Sequence, residues 1–326
     1  MVAVHCHGRL TSFLPLILLL SLVHAATGSL SIWSMVAPGD RIEANDSILV
    51  DSAWLQHRMA DQGGRSLVVL DVSERRTYRR GHVPGAIHAY WQDTIDPYYP
   101  VYGVVLSDRN IDGARLAVLT RWGIGPNTDV VVYGDEANRY AAHVVWFLRY
   151  LGHQRARLLE GGLAAWRDHG GEISDQEAPD HVTDAIVSPD TQGRFIIGSR
   201  ELSRRLNDPA LIIVDTRSAD QLDETLNGSL RIGRIPGAVL IPSSSLVDDQ
   251  GGRLRSADEL KRLFENACVT LDREVVIYGL FGVETGLPWL ALHVVGYSSV
   301  RVYDQGWAEW ARTDELPVED LDEPDR

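Results

Sequence analysis

Residues 274–297, EVVIYGLFGVETGLPWLALHVVGY, join a β-branched run to a long apolar segment. The run Val275–Tyr278 predicts a buried strand, and the apolar segment that follows predicts a helix. A short loop that begins at Gly279 separates the two. Loops between a strand and a helix often carry reactive groups, yet this one opens on a residue without a side chain. The stretch therefore predicts a strand–loop–helix unit whose loop is the candidate site.

The same unit occurs twice in the chain. The segment DVVVYGDEANRYAAHVVWFLRYLGHQRARLLEGGLAAW (129–166) is matched by EVVIYGLFGVETGLPWLALHVVGYSSVRVYDQGWAEW (274–310). Upstream of each copy, a β-branched run that ends in aspartate leads to Pro-Gly-Ala. One constant numbering offset relates four pairs of landmarks, which are Asp71 and Asp215, Gly152 and Gly296, Gly162 and Gly306, and Trp166 and Trp310. This regularity indicates an internal duplication.

Each repeat alternates short apolar strands with helical patterns. This alternation predicts right-handed strand–helix–strand units around a parallel sheet. We therefore predict an α/β fold of two tandem domains, each a mainly parallel sheet with helices on both faces. The domains are expected to cover residues 48–173 and 194–318. The polar, turn-rich segment 174–193 is expected to link them.

Composition limits the classes of partner. The 326 residues are 44% hydrophobic and 23% charged, which suits two ordinary globular domains. The formal charge of −14 argues against nucleic acid and against anionic lipid, because both require a basic surface. The histidines form no cluster with metal-ligand spacing, so no metal is predicted. Neither the dinucleotide nor the P-loop motif occurs, and no cofactor is expected.

The N-terminus has the pattern of a signal peptide. One firm positive charge, Arg9, precedes the apolar run FLPLILLLSLVHAA (13–26), which is short for a membrane span. We predict that residues 1–25 are removed after Ala25 and that the protein is exported, to the periplasm or outside the cell. An uncleaved leader that anchors the protein to a membrane is the alternative. Cys6 would leave with the leader.

Two motifs carry a resemblance to a known family. YRRGHVPGA (78–86) lies in the first repeat, and VYDQGWAEW (302–310) lies in the second. They resemble the two signatures of the tandem rhodanese family, the thiosulfate and 3-mercaptopyruvate sulfurtransferases. The likeness runs from about residue 48 to residue 318, and it departs from the family pattern at Gln305, where glycine is usual. It implies two rhodanese-like domains.

The resemblance also implies a chemistry. In the family, a cysteine directly after the Val-Val-Ile-Tyr strand opens the loop of the C-terminal domain. Its thiolate accepts a sulfur atom, becomes a persulfide and passes the sulfur to a thiol or to cyanide. The backbone N–H groups of the loop and the following helix N-terminus form an anion-binding cradle, which lowers the pKa of the thiol.

This loop departs from the family pattern at several positions. It comprises Gly279, Leu280, Phe281, Gly282, Val283 and Glu284. The resemblance places Gly279 at the nucleophile's position, and Gly282 and Val283 match the family. Glu284 stands where the family has threonine or serine, and its charge would oppose a persulfide. We predict a cradle that keeps its shape, could receive a small anionic sulfur compound, and lacks its nucleophile.

Other candidate residues flank this loop. Arg217 and Arg234 are candidate anion-binding residues, because the family uses arginines near this pocket. Asp71 and Asp215, which end equivalent strands, are expected to pair with nearby N–H groups or arginines. Cys268 precedes the strand and is expected to pack at the opposite edge of the sheet.

Two classes of function follow from the sequence. The first is a protein with an inactive or impaired sulfurtransferase site that binds a small anion or a protein partner. The second is an enzyme, either a sulfurtransferase with a thiosulfate or 3-mercaptopyruvate donor, or a catalyst of another reaction in the same cleft. An enzyme would have to use Cys268, or Glu284 with an arginine.

Overall fold

Five short parallel strands form the sheet of the first repeat. They are β1 (Leu49–Val50), β2 (Leu67–Asp71), β3 (Ile87–His88), β4 (Asp129–Tyr133) and β5 (Ala156–Leu159). Their order in the sheet is β1-β5-β4-β2-β3, and every pairing is parallel. This computed structural model describes residues 47–61, 66–95, 117–134, 138–178, 194–223, 228, 230–248 and 252–321.

The second repeat builds a sheet of the same kind. Its strands are β6 (Leu211–Asp215), β7 (Val239–Leu240), β8 (Glu274–Tyr278) and β9 (Val300–Val302). Their order is β7-β6-β8-β9, again with parallel pairings only. A parallel bridge from Ile196 to Val302 stands where β1 pairs with β5 in the first repeat. The predicted α/β class with two parallel sheets is confirmed.

Helices surround the two sheets. The α-helices whose bounds the structure gives are α1 (Ser52–Ala60), α2 (Arg75–Tyr78), α3 (Arg139–Tyr150), α4 (Gly162–Asp168), α5 (Ser199–Arg204), α6 (Ala219–Leu222), α7 (Ala257–Asn266), α8 (Gly286–Val294) and α9 (Gly306–Trp310). Three 3-10 helices lie at Trp91–Thr94, Ser243–Leu246 and Gly282–Thr285.

Both faces of the central strands are buried. In β8, Val275 and Ile277 belong to one hydrophobic cluster, whereas Val276 and Tyr278 belong to another. Successive strand side chains point to opposite faces, so two covered faces explain why the strand sequence is continuously apolar. The first repeat follows the same rule in β4. Helices therefore cover each sheet on both sides.

The two repeats share a core within one compact unit, Ser47–Arg326. Helices α3 and α8 pack against each other at the junction of the repeats. A β carbon on Gly286 would lie 2.5 Å from the backbone of His143, so only glycine allows this approach. His143 is fully buried there, and burial lowers the pKa of its ring to about 3.

The predicted signal peptide, residues 1–25, lies outside the described residues. Of the predicted linker 174–193, residues 174–178 are described, and Ser174 forms an antiparallel bridge with His82. The start of this segment is thus attached to the first repeat. In the part of the chain that the structure describes, no helix is both long enough and apolar enough to span a membrane.

Candidate functional site

The candidate loop lies at the carboxyl end of β8, where active loops of parallel sheets gather. It runs from Gly279 into the 3-10 helix Gly282–Thr285 and then into α8. The carbonyl oxygens of Gly279 and Leu280 accept hydrogen bonds from the N–H groups of Trp307 and Ala308, at 2.8 and 3.1 Å. These bonds to the start of α9 fix the backbone of the loop.

The carboxylate of Glu284 fills the cradle. Its Oε2 accepts hydrogen bonds from the N–H groups of Leu280, at 3.1 Å, and Phe281, at 3.4 Å. Its Oε1 accepts a hydrogen bond of 2.7 Å from the side-chain amide of Gln221. The N–H groups that were predicted to receive an external anion therefore already hold one that belongs to the chain. An external anion would have to displace it.

Local sequence explains this geometry. Phe281 precedes a helical turn in which Glu284 is the third residue, and a glutamate at that position commonly reaches back to the N–H that begins the turn. Gln221 is held by a full capping box with Ser218 at the start of α6. The usual sequence signature of this arrangement has serine or threonine at the N-cap, where this chain has Phe281, so the position of the Glu284 carboxylate was not predicted from the sequence.

Gly279 lies directly beside this carboxylate. A β carbon built on Gly279 would lie 3.1 Å from Glu284 Oε2 and 3.1 Å from the carbonyl oxygen of Phe281. The backbone of Gly279 is not in the left-handed region, so its conformation suits other residues. A side chain at this position would need a displacement of a few tenths of an ångström and would point at the negative charge.

Gly282 is required by a close approach. A β carbon there would lie 2.2 Å from two atoms of Asp304, the backbone oxygen and Oδ1. Asp304 is buried, and it belongs to the late motif at 302–310. The loop therefore packs against that motif so closely that residue 282 must be glycine.

A cavity of about 390 Å³ adjoins the loop. Four hydroxyl residues line it together with one amide, one acid, one base and two aliphatic residues. They are Thr216, Ser218, Ser243, Ser244, Gln221, Glu284, Arg139, Val247 and Leu287. Arg139 comes from the first repeat, so the cavity lies between the repeats. We call it the loop cavity. Arg139 was not predicted at this site, because a contact between the repeats cannot be read from the sequence of either repeat alone.

The structure places Arg217 in a buried ion pair and not in the loop cavity. Its guanidinium donates to both carboxylate oxygens of Asp215, with the shortest contact at 2.6 Å, and both side chains have no exposed surface. Tyr278 Oη also donates to Asp215, at 2.6 Å. Burial and the adjacent carboxylate raise the pKa of Tyr278 well above its ordinary value. Arg217 is thus the counter-charge that the buried Asp215 requires.

Arg234 is also placed elsewhere. Its Nε donates to Glu319 at 2.6 Å, and the two residues form an antiparallel bridge. His82 does the equivalent in the first repeat, where it bridges to Ser174 and its ring contacts the carbonyl oxygens of Tyr78 and Gln176. The position therefore fastens the segment that follows each repeat, and neither residue lies at the loop cavity.

Cys268 lies at the other end of the second sheet. It follows α7 and precedes β8, whereas the candidate loop follows β8. Its place in the fold separates it from the loop, as expected. Within the described residues, no group of three or more histidine, cysteine, aspartate or glutamate side chains could hold a metal ion.

The sequence pattern of the rhodanese-like domain matches this chain twice, at residues 51–169 and 199–313. The chain belongs to the rhodanese family. The two matches contain strands β2 to β9 and the loop described above. The resemblance predicted from the motifs at 78–86 and 302–310 is thereby confirmed.

Relatives of this rhodanese-family chain align along nearly their whole length. The sulfur carrier protein TtuD of Thermus thermophilus is 32% identical over 297 residues, which are 84% of this chain and 97% of that protein. The thiosulfate sulfurtransferase of Corynebacterium glutamicum is 31% identical over 303 residues, 87% of this chain and 96% of that protein.

A solved structure shares the fold. The anaerobic ergothioneine biosynthesis enzyme of Chlorobium limicola, in complex with trimethyl histidine, superimposes with a TM-score of 0.73 and 22% sequence identity. The match covers 86% of this chain and 72% of that enzyme. At this level of identity, the likeness establishes the fold alone.

Proposed function

We propose that this rhodanese-family chain does not transfer sulfur and acts as a binding module. Gly279 stands at the nucleophile's position and offers no thiolate. The observation that carries the proposal is the Glu284 carboxylate, which lies within hydrogen-bonding distance of the N–H groups of Leu280 and Phe281. These are the groups that would otherwise stabilise a thiolate or persulfide.

Electrostatics support the same conclusion. A thiosulfate or mercaptopyruvate donor is anionic and would approach a negative charge already seated in the cradle. Removal of Glu284 from the N–H groups would break three hydrogen bonds, counting the one from Gln221. The net contribution of a hydrogen bond to a charged group is about 1.5–3 kcal/mol, and less where the group is partly exposed, as Glu284 is. These bonds and the repulsion between like charges both oppose the displacement of Glu284 by a sulfur donor.

A second function, sulfur transfer, is favoured by one observation. A relative that covers most of the chain carries the name thiosulfate sulfurtransferase. Sulfur transfer would require a thiol. In a chain without the predicted leader, residues 1–25, the one cysteine in the sequence is Cys268. That residue lies at the edge of the sheet opposite the loop.

Formation of thiocyanate from thiosulfate and cyanide separates the two functions. We expect no activity above background for the wild-type protein and for Cys268→Ser. The matched positive control is Gly279→Cys combined with Glu284→Thr, which restores a thiol and empties the cradle. Wild-type turnover that Cys268→Ser abolishes would contradict the proposal.

We further propose that the protein is exported. The support is the charge and length pattern of residues 1–25, which predicts a cleaved leader. An exported binding module would meet its small-molecule ligand or protein partner outside the cytoplasm. Recovery of the protein from the cytoplasm with Met1 intact would contradict this proposal.

A further inference from the structure

Gln221 makes the shortest of the hydrogen bonds that hold the Glu284 carboxylate. Its Nε2 donates to Glu284 Oε1 at 2.7 Å, whereas the N–H groups of Leu280 and Phe281 lie 3.1 and 3.4 Å from Oε2. N–H···O bonds cluster at about 2.9–3.0 Å, and those to a charged group are stronger when they are shorter. Of these three contacts, the one that comes from α6, outside the loop, is therefore the strongest.

The side-chain amide of Gln221 has one favourable orientation. Its Oε1 accepts a hydrogen bond of 2.9 Å from the N–H group of Ser218, so its NH₂ group faces Glu284. Turned over, the NH₂ group would meet the N–H group of Ser218, and the amide oxygen would meet a carboxylate. Both of those contacts are repulsive. The capping box at the start of α6 therefore fixes a donor toward Glu284.

The role of Gln221 goes beyond the helix cap. A capping box accepts either glutamate or glutamine at this position, because either side chain offers an oxygen to the N–H group of the N-cap. The contact with Glu284 requires a donor, which a glutamate side chain lacks when it is ionised. One half of the amide thus serves the cap on Ser218, and the other half serves the candidate site.

We propose that Gln221 is a positioning residue that keeps the cradle closed. It holds the Glu284 carboxylate against the N–H group of Leu280, and so closes this site to small oxyanions. Gln221 and Glu284 both line the loop cavity, whose volume of about 390 Å³ gives a released carboxylate room to turn away. This inference rests on the proposed function, in which the Glu284 carboxylate fills the cradle, and it names the residue that keeps the carboxylate there.

Two substitutions separate the donor from the cap. Gln221→Glu keeps an acceptor for Ser218 and loses the donor to Glu284, whereas Gln221→Lys keeps a donor and loses the acceptor. The readout is the amide signal of Leu280 in ¹⁵N-labelled protein at neutral pH, because this N–H group donates to Glu284. Glu284→Ala gives the position of that signal in an open cradle. We expect Gln221→Glu to move the signal toward the open position and Gln221→Lys to leave it near that of the wild type.

Titration with inorganic sulfate at constant ionic strength tests the closure itself. We expect the sulfate concentration that half-shifts the Leu280 signal to be about fivefold lower for Gln221→Met than for the wild type, because one hydrogen bond to a partly exposed carboxylate is lost. It should be lowest for Glu284→Ala. Gln154→Met, at an exposed position of the first repeat, is the matched control and should behave as the wild type does.

Three results would overturn the inference. In the first, Gln221→Glu and Gln221→Met match the wild type while Glu284→Ala moves the signal and binds sulfate. In the second, Gln221→Glu and Gln221→Lys move the Leu280 signal equally, because the cap and not the donor would then be responsible. In the third, sulfate binds to none of the variants, Glu284→Ala included. Thiocyanate formation by the wild-type protein, measured separately, would instead overturn the proposed function.

Discussion

A cysteine introduced at residue 279 would measure the electrostatics of the cradle. The β carbon at this position lies 3.1 Å from Glu284 Oε2, so the sulfur of Gly279→Cys would lie about 4 Å from the carboxylate charge. At an effective dielectric near 20, two like charges at that distance oppose each other by about 4 kcal/mol. Glu284 is half-buried, and solvent screening lowers this to about 1–2 kcal/mol. The thiol pKa should therefore lie about one unit above the free-cysteine value of about 8.5.

Two further substitutions, both at Glu284, separate the effect of its charge from the effect of emptying the cradle. Glu284→Gln removes the charge and keeps a hydrogen-bond acceptor at the N–H groups, so it should return the thiol pKa to about 8.5. Glu284→Thr withdraws the acceptor, so that the N–H groups of Leu280 and Phe281 can turn to the thiolate. The pKa in Gly279→Cys/Glu284→Thr should then fall below about 8.5.

The assay is the pH dependence of alkylation by iodoacetamide, in a chain that lacks residues 1–25, and with them Cys6, and that carries Cys268→Ser so that one thiol reports. Gly279→Ala is the matched steric control, because its β carbon meets the same Phe281 oxygen without adding a thiol. The reasoning is refuted if the thiol titrates near about 8.5 in all three cysteine variants, because the loop would then exert no field on residue 279.

Three further outcomes are expected. Arg217→Met should lower the free energy of unfolding, measured by chemical denaturation, by about 3–5 kcal/mol, because it leaves the buried Asp215 carboxylate without its counter-charge. Arg234→Ala should lower it by about 1 kcal/mol or less, because the side chains of Arg234 and Glu319 are 25% and 28% exposed. Similar losses for the two variants would contradict the argument from burial. The pKa of His143 is about 3 in the folded chain and 6.5 ordinarily, so the unfolded state binds the proton more readily. The free energy of unfolding should therefore fall as the pH falls from 6.5 to 3, by up to about 1.4 kcal/mol per pH unit. His143→Gln should reduce the number of protons taken up on unfolding by about one, and an unchanged slope of stability against pH in this variant would refute the prediction. N-terminal sequencing of the secreted protein should begin at Ala26, and a start at Met1 would contradict export by cleavage.

The fold was accessible from the sequence because its signals are local and occur twice. Runs such as Val130–Tyr133 and Val275–Tyr278 are apolar at every position, which a strand buried on both faces requires. The duplication then fixed the order of strands and helices in the second repeat. The location of the loop followed from the same pattern, since it comes directly after β8.

The content of the site was less accessible, because it depends on side-chain direction and on contacts between distant segments. Glu284 was expected to oppose a bound anion, but its carboxylate reaches back and takes the anion's place. Arg217 was expected near an anion because the family uses arginines near this pocket. Arg217 instead forms an ion pair with Asp215, which is fully buried at the end of β6. Arg139 joins the cavity only through the packing of the two repeats.

The central claim is that the protein holds no transferable sulfur. Its most direct test is the intact mass of the purified wild-type protein after incubation with thiosulfate or 3-mercaptopyruvate, without any acceptor. We predict an unchanged mass, with Gly279→Cys/Glu284→Thr gaining one sulfur atom under the same conditions. A gain of one sulfur atom by the wild-type protein, removed by cyanide, would contradict the claim.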